Sequence, residues 1–299
     1  MYRHLVARCT GNEISDVLGS FFPFVASLEM SEHEETGAWT TKYALRFTLL
    51  EDGLRCQAVE SRQVAGLAAF IPRNAFDEYN IQGDQSYEFE FTLGDHGYAP
   101  KNPTVTEIYN GDIGFNNEKL PMIIKSSGFE IRYFSVESKD VPKPIIQPIL
   151  SSPRNEYDSF SVEASEFCDA IAYLSMDPMA SPVARILPSI DIGGRENVIM
   201  ETDLSHLDGT NRQTIELRKS HGIVIRTPPE EVAMTHLGYW ERGLDLFRRF
   251  EKTTLDVSIS TTFPMIISWK SGSASYPVEW TYFHAPFLGD ASNVVFSTP

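Results

Sequence analysis

"YDSFSVEASEFCDAIAYLS", residues 157–175, reads as a short strand, a polar turn and an amphipathic helix. Its core, "EFCDAIAYL", lies over "EISDVLGSF" at residues 13–21 with an offset of 153 positions. Glu166 then falls on Glu13 and Asp169 on Asp16, while the apolar Phe167, Ala170 and Ile171 fall on Ile14, Val17 and Leu18. In the N-terminal copy Ile14, Val17, Leu18 and Phe21 recur at helical spacing and make one apolar face. The order of elements around the two stretches, strand then helix then strands, is repeated as well. The sequence therefore predicts a duplicated domain.

The N-terminal half opens with a strand "YRHLVAR" and a turn "CTGN", where Asn12 can cap the following helix through its side-chain oxygen. "TKYALRFTLL", the turn "EDG", "LRCQAVES" and "RQVAGLAAFI" follow, strands with turn punctuation that predict an antiparallel sheet. Between the halves, "SVESKDVPKPIIQPILSSPRNEY" at 135–157 holds four prolines, a density that disfavours both helix and central strand. The expected division is a domain at 1–134, an extended connecting segment at 135–157 and a second domain at 158–299. Two further stretches, about 94–118 and 176–214, read as insertions or long loops.

Composition narrows the function classes. Of 299 residues 42% are hydrophobic, enough for real cores, and the formal net charge is −16. Such a balance argues against a surface that grips nucleic acid or an anionic membrane everywhere, though not against a local basic patch. The three cysteines, Cys9, Cys56 and Cys168, have no paired spacing, and the seven histidines are scattered. No metal site and no cofactor is expected, and no phosphate-binding glycine loop or catalytic serine motif occurs. The uncharged run "LGSFFPFVASL" is too short to span a bilayer, and no signal-peptide pattern opens the chain, so an intracellular, non-enzymatic protein is expected.

One stretch breaks the acidic trend. In "ERGLDLFRRFEKTTLDVSISTTFPMIISWK", residues 241–270, a helix that begins just before it puts Trp240, Leu244 and Phe247 on one stripe, with Phe250 extending it. Arg242, Asp245, Arg249 and Lys252 fall on another face, flanked by Arg248. Taken alone, such a face is usually a solvated surface. The strands "LDVSIS" and "FPMIISWK" follow, then a turn "SGSASYP" and a last strand "VEWTYFHAPFL".

This helix, "TTLDVSIS", the proline-led "FPMIISWK" and the ending "YFHAPFL" resemble the C-terminal end of sliding clamps of the proliferating cell nuclear antigen (PCNA) type. "EDGLRCQAVESRQVAGLAAF" is similar to a pattern in the first half of the same family, and 135–167 looks like its connecting loop and the opening of its second domain. The resemblance implies an α+β fold of two similar domains, with antiparallel sheets outside and helices inside a ring. It implies a homotrimer that encircles double-stranded DNA and tethers DNA polymerase as a processivity factor. Arg242, Arg248, Arg249 and Lys252 would face the duplex. By position, a pocket for partner peptides would comprise Val59, Val64, Ile145, Ile146, Pro264, Ala285 and Pro286. This sequence departs from the family at the helices 12–21 and 165–175, which hold acids and no Lys or Arg, and "SYEFEFTL" stands where a first-half counterpart of the basic helix is expected. A checkpoint-clamp subunit, a monomeric processivity factor and a protein scaffold without DNA contact are the alternatives.

Overall fold

The computed structural model describes residues 4–36, 44–59, 65–81, 86–92, 102–110, 119–135, 157–176, 181–190, 193–203, 212–218, 220, 222–226, 233–261 and 263–285. The chain divides into two compact units, Met1–Ile145 with Lys270–Trp280, and Ile146–Trp269 with Thr281–Pro299. The cut at 145/146 falls inside the proline-rich stretch. Residues 270–280, assigned from sequence to the second domain, group with the first unit. Most of 135–157 lies outside the described residues.

In the first unit, β1 (His4–Cys9), β5 (Glu78–Tyr79), β7 (Val105–Asn110), β8 (Lys119–Ser126) and β9 (Phe129–Ser135) form a sheet in the order β5-β1-β7-β8-β9. A second run follows the order β6-β2-β3-β4, from β6 (Tyr87–Thr92), β2 (Ala44–Leu50), β3 (Gly53–Val59) and β4 (Ala65–Pro72). Helix α1 (Glu13–Thr36) buries Ile14, Val17, Leu18 and Phe21, the face read from the sequence. It is longer than expected, because it runs through Pro23 instead of stopping there. Proline normally breaks a helix interior; here Phe21, Phe22 and Phe24 on either side of it are buried, and that burial offsets the missing hydrogen bond.

The second half of the chain repeats the scheme. β10 (Asp158–Glu163), β14 (Val224–Ile225), β16 (Thr254–Ile259), β17 (Met265–Ser273) and β18 (Tyr276–His284) follow the order β14-β10-β16-β17-β18. β15 (Ala233–His236), β11 (Val183–Ile190), β12 (Glu196–Asp203) and β13 (Arg212–Arg218) follow β15-β11-β12-β13. Each order is that of the first unit, strand for strand, and α2 (Ala164–Leu174) follows β10 as α1 follows β1. The pairings described are antiparallel throughout, as at Asp158↔Ile259 and Ala184↔Thr202.

The repeat corrects three expectations. The 94–118 stretch contains β7, and 176–214 contains β11, β12 and the start of β13, so neither is a loop throughout. Polar outer faces hid these strands: in β12 Val198, Met200 and Thr202 are buried, while Asn197, Ile199, Glu201 and Asp203 between and beside them are half-exposed. Third, "SYEFEFTL" does not replace the basic helix. It is β6, the counterpart of β15, and α3 (Leu237–Arg249) lies between β15 and β16. Residues 93–101, between β6 and β7, lie outside the described residues.

Among the described residues no helix is long and apolar enough to cross a membrane, and no cluster of His, Cys, Asp and Glu is arranged to hold a metal. The three cysteines are buried free thiols.

The turn "EDG" joins β2 to β3, with Leu50 opposite Gly53. Gly53 has φ +156°, and a Cβ there would lie 2.3 Å from the Ile71 carbonyl oxygen. Tyr79 locks the same corner, its phenol oxygen 2.6 Å from the carbonyls of both Leu50 and Gly53. Gly53→Ala is expected to cost about 1–3 kcal/mol, as a strained backbone and a steric clash together require. Urea unfolding with an unchanged midpoint would refute this.

Candidate nucleic-acid interface

Helix α3 begins where β15 ends. His236 caps it, its Nδ1 accepting from the Gly238 N–H at 3.2 Å. Its apolar stripe is the one the sequence shows: Trp240, Leu244 and Phe247 are buried, joined by Leu237 and Leu246. Phe167 of α2 packs against Trp240 with ring centroids 5.1 Å apart and against Phe247 at 6.0 Å. Phe247 also meets Trp269 and Tyr282 edge-on at 5.7 and 5.6 Å. Each such ring contributes about 1.5–3 kcal/mol by leaving water, plus a smaller edge-to-face term.

One buried polar contact fixes the helix at its first turn. The Trp240 Nε1–H donates to His284 Nε2 at 3.0 Å, and the Thr235 hydroxyl meets the same nitrogen at 2.5 Å. An indole N–H can only donate, so Nε2 is the acceptor and the ring proton sits on Nδ1. His284 is fully buried, and burial, aided by nearby His236, pushes its pKa down to about 3. Protonating Nε2 would set its N–H against the indole N–H, which cannot accept. The sequence reading treated the histidines as scattered and missed this one. The signal was the period of two in β18, whose inward row runs Val278, Trp280, Tyr282, His284.

The opposite face of α3 is charged. Glu241, Asp245, Arg248 and Arg249 are exposed, as is Lys252 just beyond the helix. Arg248 lies 4.0 Å from Asp245 with both side chains largely in water, a contact of little energetic weight. Arg242 is in the helix, but its side chain lies outside the described residues. Within α3 three cations face two carboxylates, so the face is only mildly positive. The exposed residues of α2 include Asp169, and neither α1 nor α2 contains a lysine or arginine. Cys168, on α2, feels Arg248 as a lowering influence, yet burial pushes its thiol up to about 12.

Several other cations of the second unit are committed to carboxylates. Arg185 and Arg212 both reach Glu201, at 3.1 and 3.4 Å, and Arg212 reaches Asp203 at 3.3 Å. Arg226 pairs with Asp256 at 2.7 Å.

Of the residues expected to line a peptide pocket, Val59 is buried near the end of β3 in the first unit. Pro264 and Ala285, both partly exposed, precede β17 and follow β18, at the same end of that hairpin in the second unit. Val64, Ile145, Ile146 and Pro286 lie outside the described residues.

No family model matches this sequence, and no curated protein matches it. Solved structures do. Archaeoglobus fulgidus PCNA, in a structure with the C-terminal region of FEN-1 bound, is similar over 96% of this chain and 100% of that one, with TM-score 0.64 and 14% identity. PCNA of Entamoeba histolytica is similar over 94% of this chain and 97% of its own, with TM-score 0.59 and 15% identity. The chain has the fold of the PCNA-type sliding clamps, in a divergent sequence.

The neutral histidine gives a pH test. In the unfolded chain it takes a proton near the ordinary 6.5; in the folded protein it resists until about 3. Its contribution to stability is complete above about 6.5 and falls as pH drops below that, by about 1.4 kcal/mol per unit. His284→Gln removes this titration. Urea unfolding of the variant from pH 7 to 4.5 should show a slope shallower than that of the wild type by about one proton; equal slopes would contradict the assignment.

Proposed function

We propose that this chain is a sliding-clamp subunit, a non-enzymatic intracellular protein that surrounds duplex DNA and tethers DNA polymerase and other proteins to it. The observation that supports this reading best is the similarity of fold to PCNA structures over nearly the whole chain, beside the duplicated strand order within it. Its assembled form in this reading is a ring of copies, three by resemblance to the family. An acidic outer surface is compatible with that role, because an encircling protein is held by topology and not by tight binding.

In this reading Arg242, Arg248, Arg249 and Lys252 face the duplex as point charges on phosphates. Bidentate base contacts would hinder sliding, so none is expected. Each phosphate neutralised contributes up to about −0.9 to the slope of log affinity against log salt. Because α1 and α2 bring no cation, α3 carries the contact almost alone. That same deficit favours a second reading: a clamp-like scaffold, as a checkpoint-clamp subunit or a monomeric factor, whose work lies in holding proteins.

Anisotropy of a labelled duplex across a salt series separates the two. Wild type should bind weakly and steeply with salt, and the triple variant Arg248→Glu, Arg249→Glu, Lys252→Glu should lose both DNA association and polymerase stimulation while melting normally. The stripe of Trp240, Leu244 and Phe247 is untouched by those changes. Normal stimulation by the triple variant at physiological salt would leave α3 as a solvated face and favour the scaffold.

The peptide pocket is a separate expectation. The A. fulgidus PCNA structure holds a FEN-1 C-terminal segment; for this chain the pocket is proposed at Val59, Val64, Ile145, Ile146, Pro264, Ala285 and Pro286. Ile145→Ala with Ile146→Ala should weaken a clamp-binding peptide about tenfold or more in calorimetry with little change in melting. Absence of any affinity in the wild type would remove the polymerase-tethering role.

A further inference from the structure

Two histidines hold the start of α3, and both do so as acceptors. His236, the last residue of β15, takes the Gly238 N–H on its Nδ1 at 3.2 Å. His284, at the end of β18, takes the Trp240 indole N–H on its Nε2 at 3.0 Å. The Tyr239 ring contacts both, its centroid 5.6 Å from that of His236 and 5.9 Å from that of His284. A third attachment is backbone: the Leu237 N–H donates to the Pro182 carbonyl at 2.7 Å. The imidazoles differ in access to water, since His284 is fully buried and His236 is half-exposed. Gly238 leaves room for this cap, because a Cβ there would lie 3.1 Å from Nδ1 of the His236 ring and 3.2 Å from its Cε1.

A side chain that caps a helix N-terminus must accept, because it meets a backbone N–H. Histidine is the side chain that exchanges its proton between about pH 5 and 8, and once both ring nitrogens carry hydrogen neither accepts. The usual caps, Ser, Thr, Asp and Asn, keep an oxygen lone pair throughout that range. We propose that His236 makes the first turn of α3 a pH-sensitive latch, closed while its Nδ1 is unprotonated and released when a proton occupies that nitrogen. Two effects of the proton act together. It sets Nδ1–H against the Gly238 N–H, donor to donor, and it places a positive charge at a helix end where the macrodipole is already positive. Because the proton favours the open turn, the latch is complete above the imidazole range and is lost as pH falls through it.

The surrounding groups shape this response. His284 on β18 does not follow His236, since burial holds its ring neutral down to about 3, so the Trp240 anchor stays when the cap lets go. On β11 the residue opposite His236 is Val183, with Arg185 two places along and engaged with Glu201 at 3.1 Å. α3 itself brings Tyr239 and Glu241. Of these groups only Glu241 would favour a charged ring, and it is exposed to water five positions on, where screening is strong. Glu230 and Glu231, ahead of β15, lie outside the described residues. The latch stands at the start of the helix whose far end carries Arg248 and Arg249, so acid loosens the mount of that charged face. It belongs to the folded chain itself and holds whether or not the clamp reading does.

Hydrogen exchange followed by mass spectrometry tests this, with protection taken relative to the intrinsic exchange rate at each pH. Between pH 7.5 and 5.5 the segment 236–242 of the wild type should lose protection about threefold to tenfold, the scale of a lost helix cap, while 244–249 keeps its own. His236→Asn retains an accepting cap that does not titrate, and its 236–242 segment should stay protected across the same range. His236→Asp, a second accepting cap, should behave likewise. An unchanged wild type, a loss in either variant equal to that of the wild type, or a wild-type loss shared in full by 244–249 would overturn the proposal.

Discussion

Phe167 and Phe247 compete for the same space between α2 and α3, and the way they share it orients everything on the solvent side of those helices. The edge-on rings fix the rotation of α3 about its axis. Rotation in turn fixes which residues face water. With Trp240 tied to His284 below, the helix cannot roll to bring Leu244 outward or Arg248 inward. A mildly basic surface is therefore a product of aromatic packing one layer down. Its charges need no strong partners of their own to hold position.

The electrostatic balance is the least clamp-like feature. Between them α1 and α2 contribute carboxylates and no cation, whereas α3 holds three cations against two acids. The large negative charge of the chain is thus not confined to loops and sheet surfaces. In the clamp function proposed above, helices so poor in cations would give a duplex, with its charge every ~1.7 Å, only a shallow attraction that moderate salt erases. On that proposal, retention on DNA would come from topology and partner proteins more than from contact.

Much of the fold was legible because each half states it independently. The 153-residue offset between Glu13 and Glu166, the "EDG" turn after Leu50 and the stripe on α3 are local signals carried by short stretches of sequence. Less legible were strands such as β11 and β12, where Arg185, Glu201 and Asp203 decorate the outer face with an ion-pair network and dilute the apolar alternation. Helix α1 misled in the opposite direction, since proline rules speak of the backbone and not of the buried phenylalanines around it. At the candidate site the exposed arginines could be read directly. The supporting histidine could not, because a scattered histidine acquires meaning only when its place in the inward row of a strand is known.

The grouping of residues 270–280 with the first unit reaches into biosynthesis. Phe21, at the heart of the α1 face, stacks on Trp280 with ring centroids 6.0 Å apart, and Asn74 donates to the Ser275 carbonyl at 3.1 Å. A ribosome-bound chain that has emerged through residue 145 holds most of that unit but neither of these contacts. The N-terminal half must wait, with Phe21 uncovered, until the second half has been made almost to its last strand. Completion of the first half is thereby coupled to synthesis of the second, and the vulnerable interval is the time the ribosome takes to travel between them, at about 5–20 residues per second.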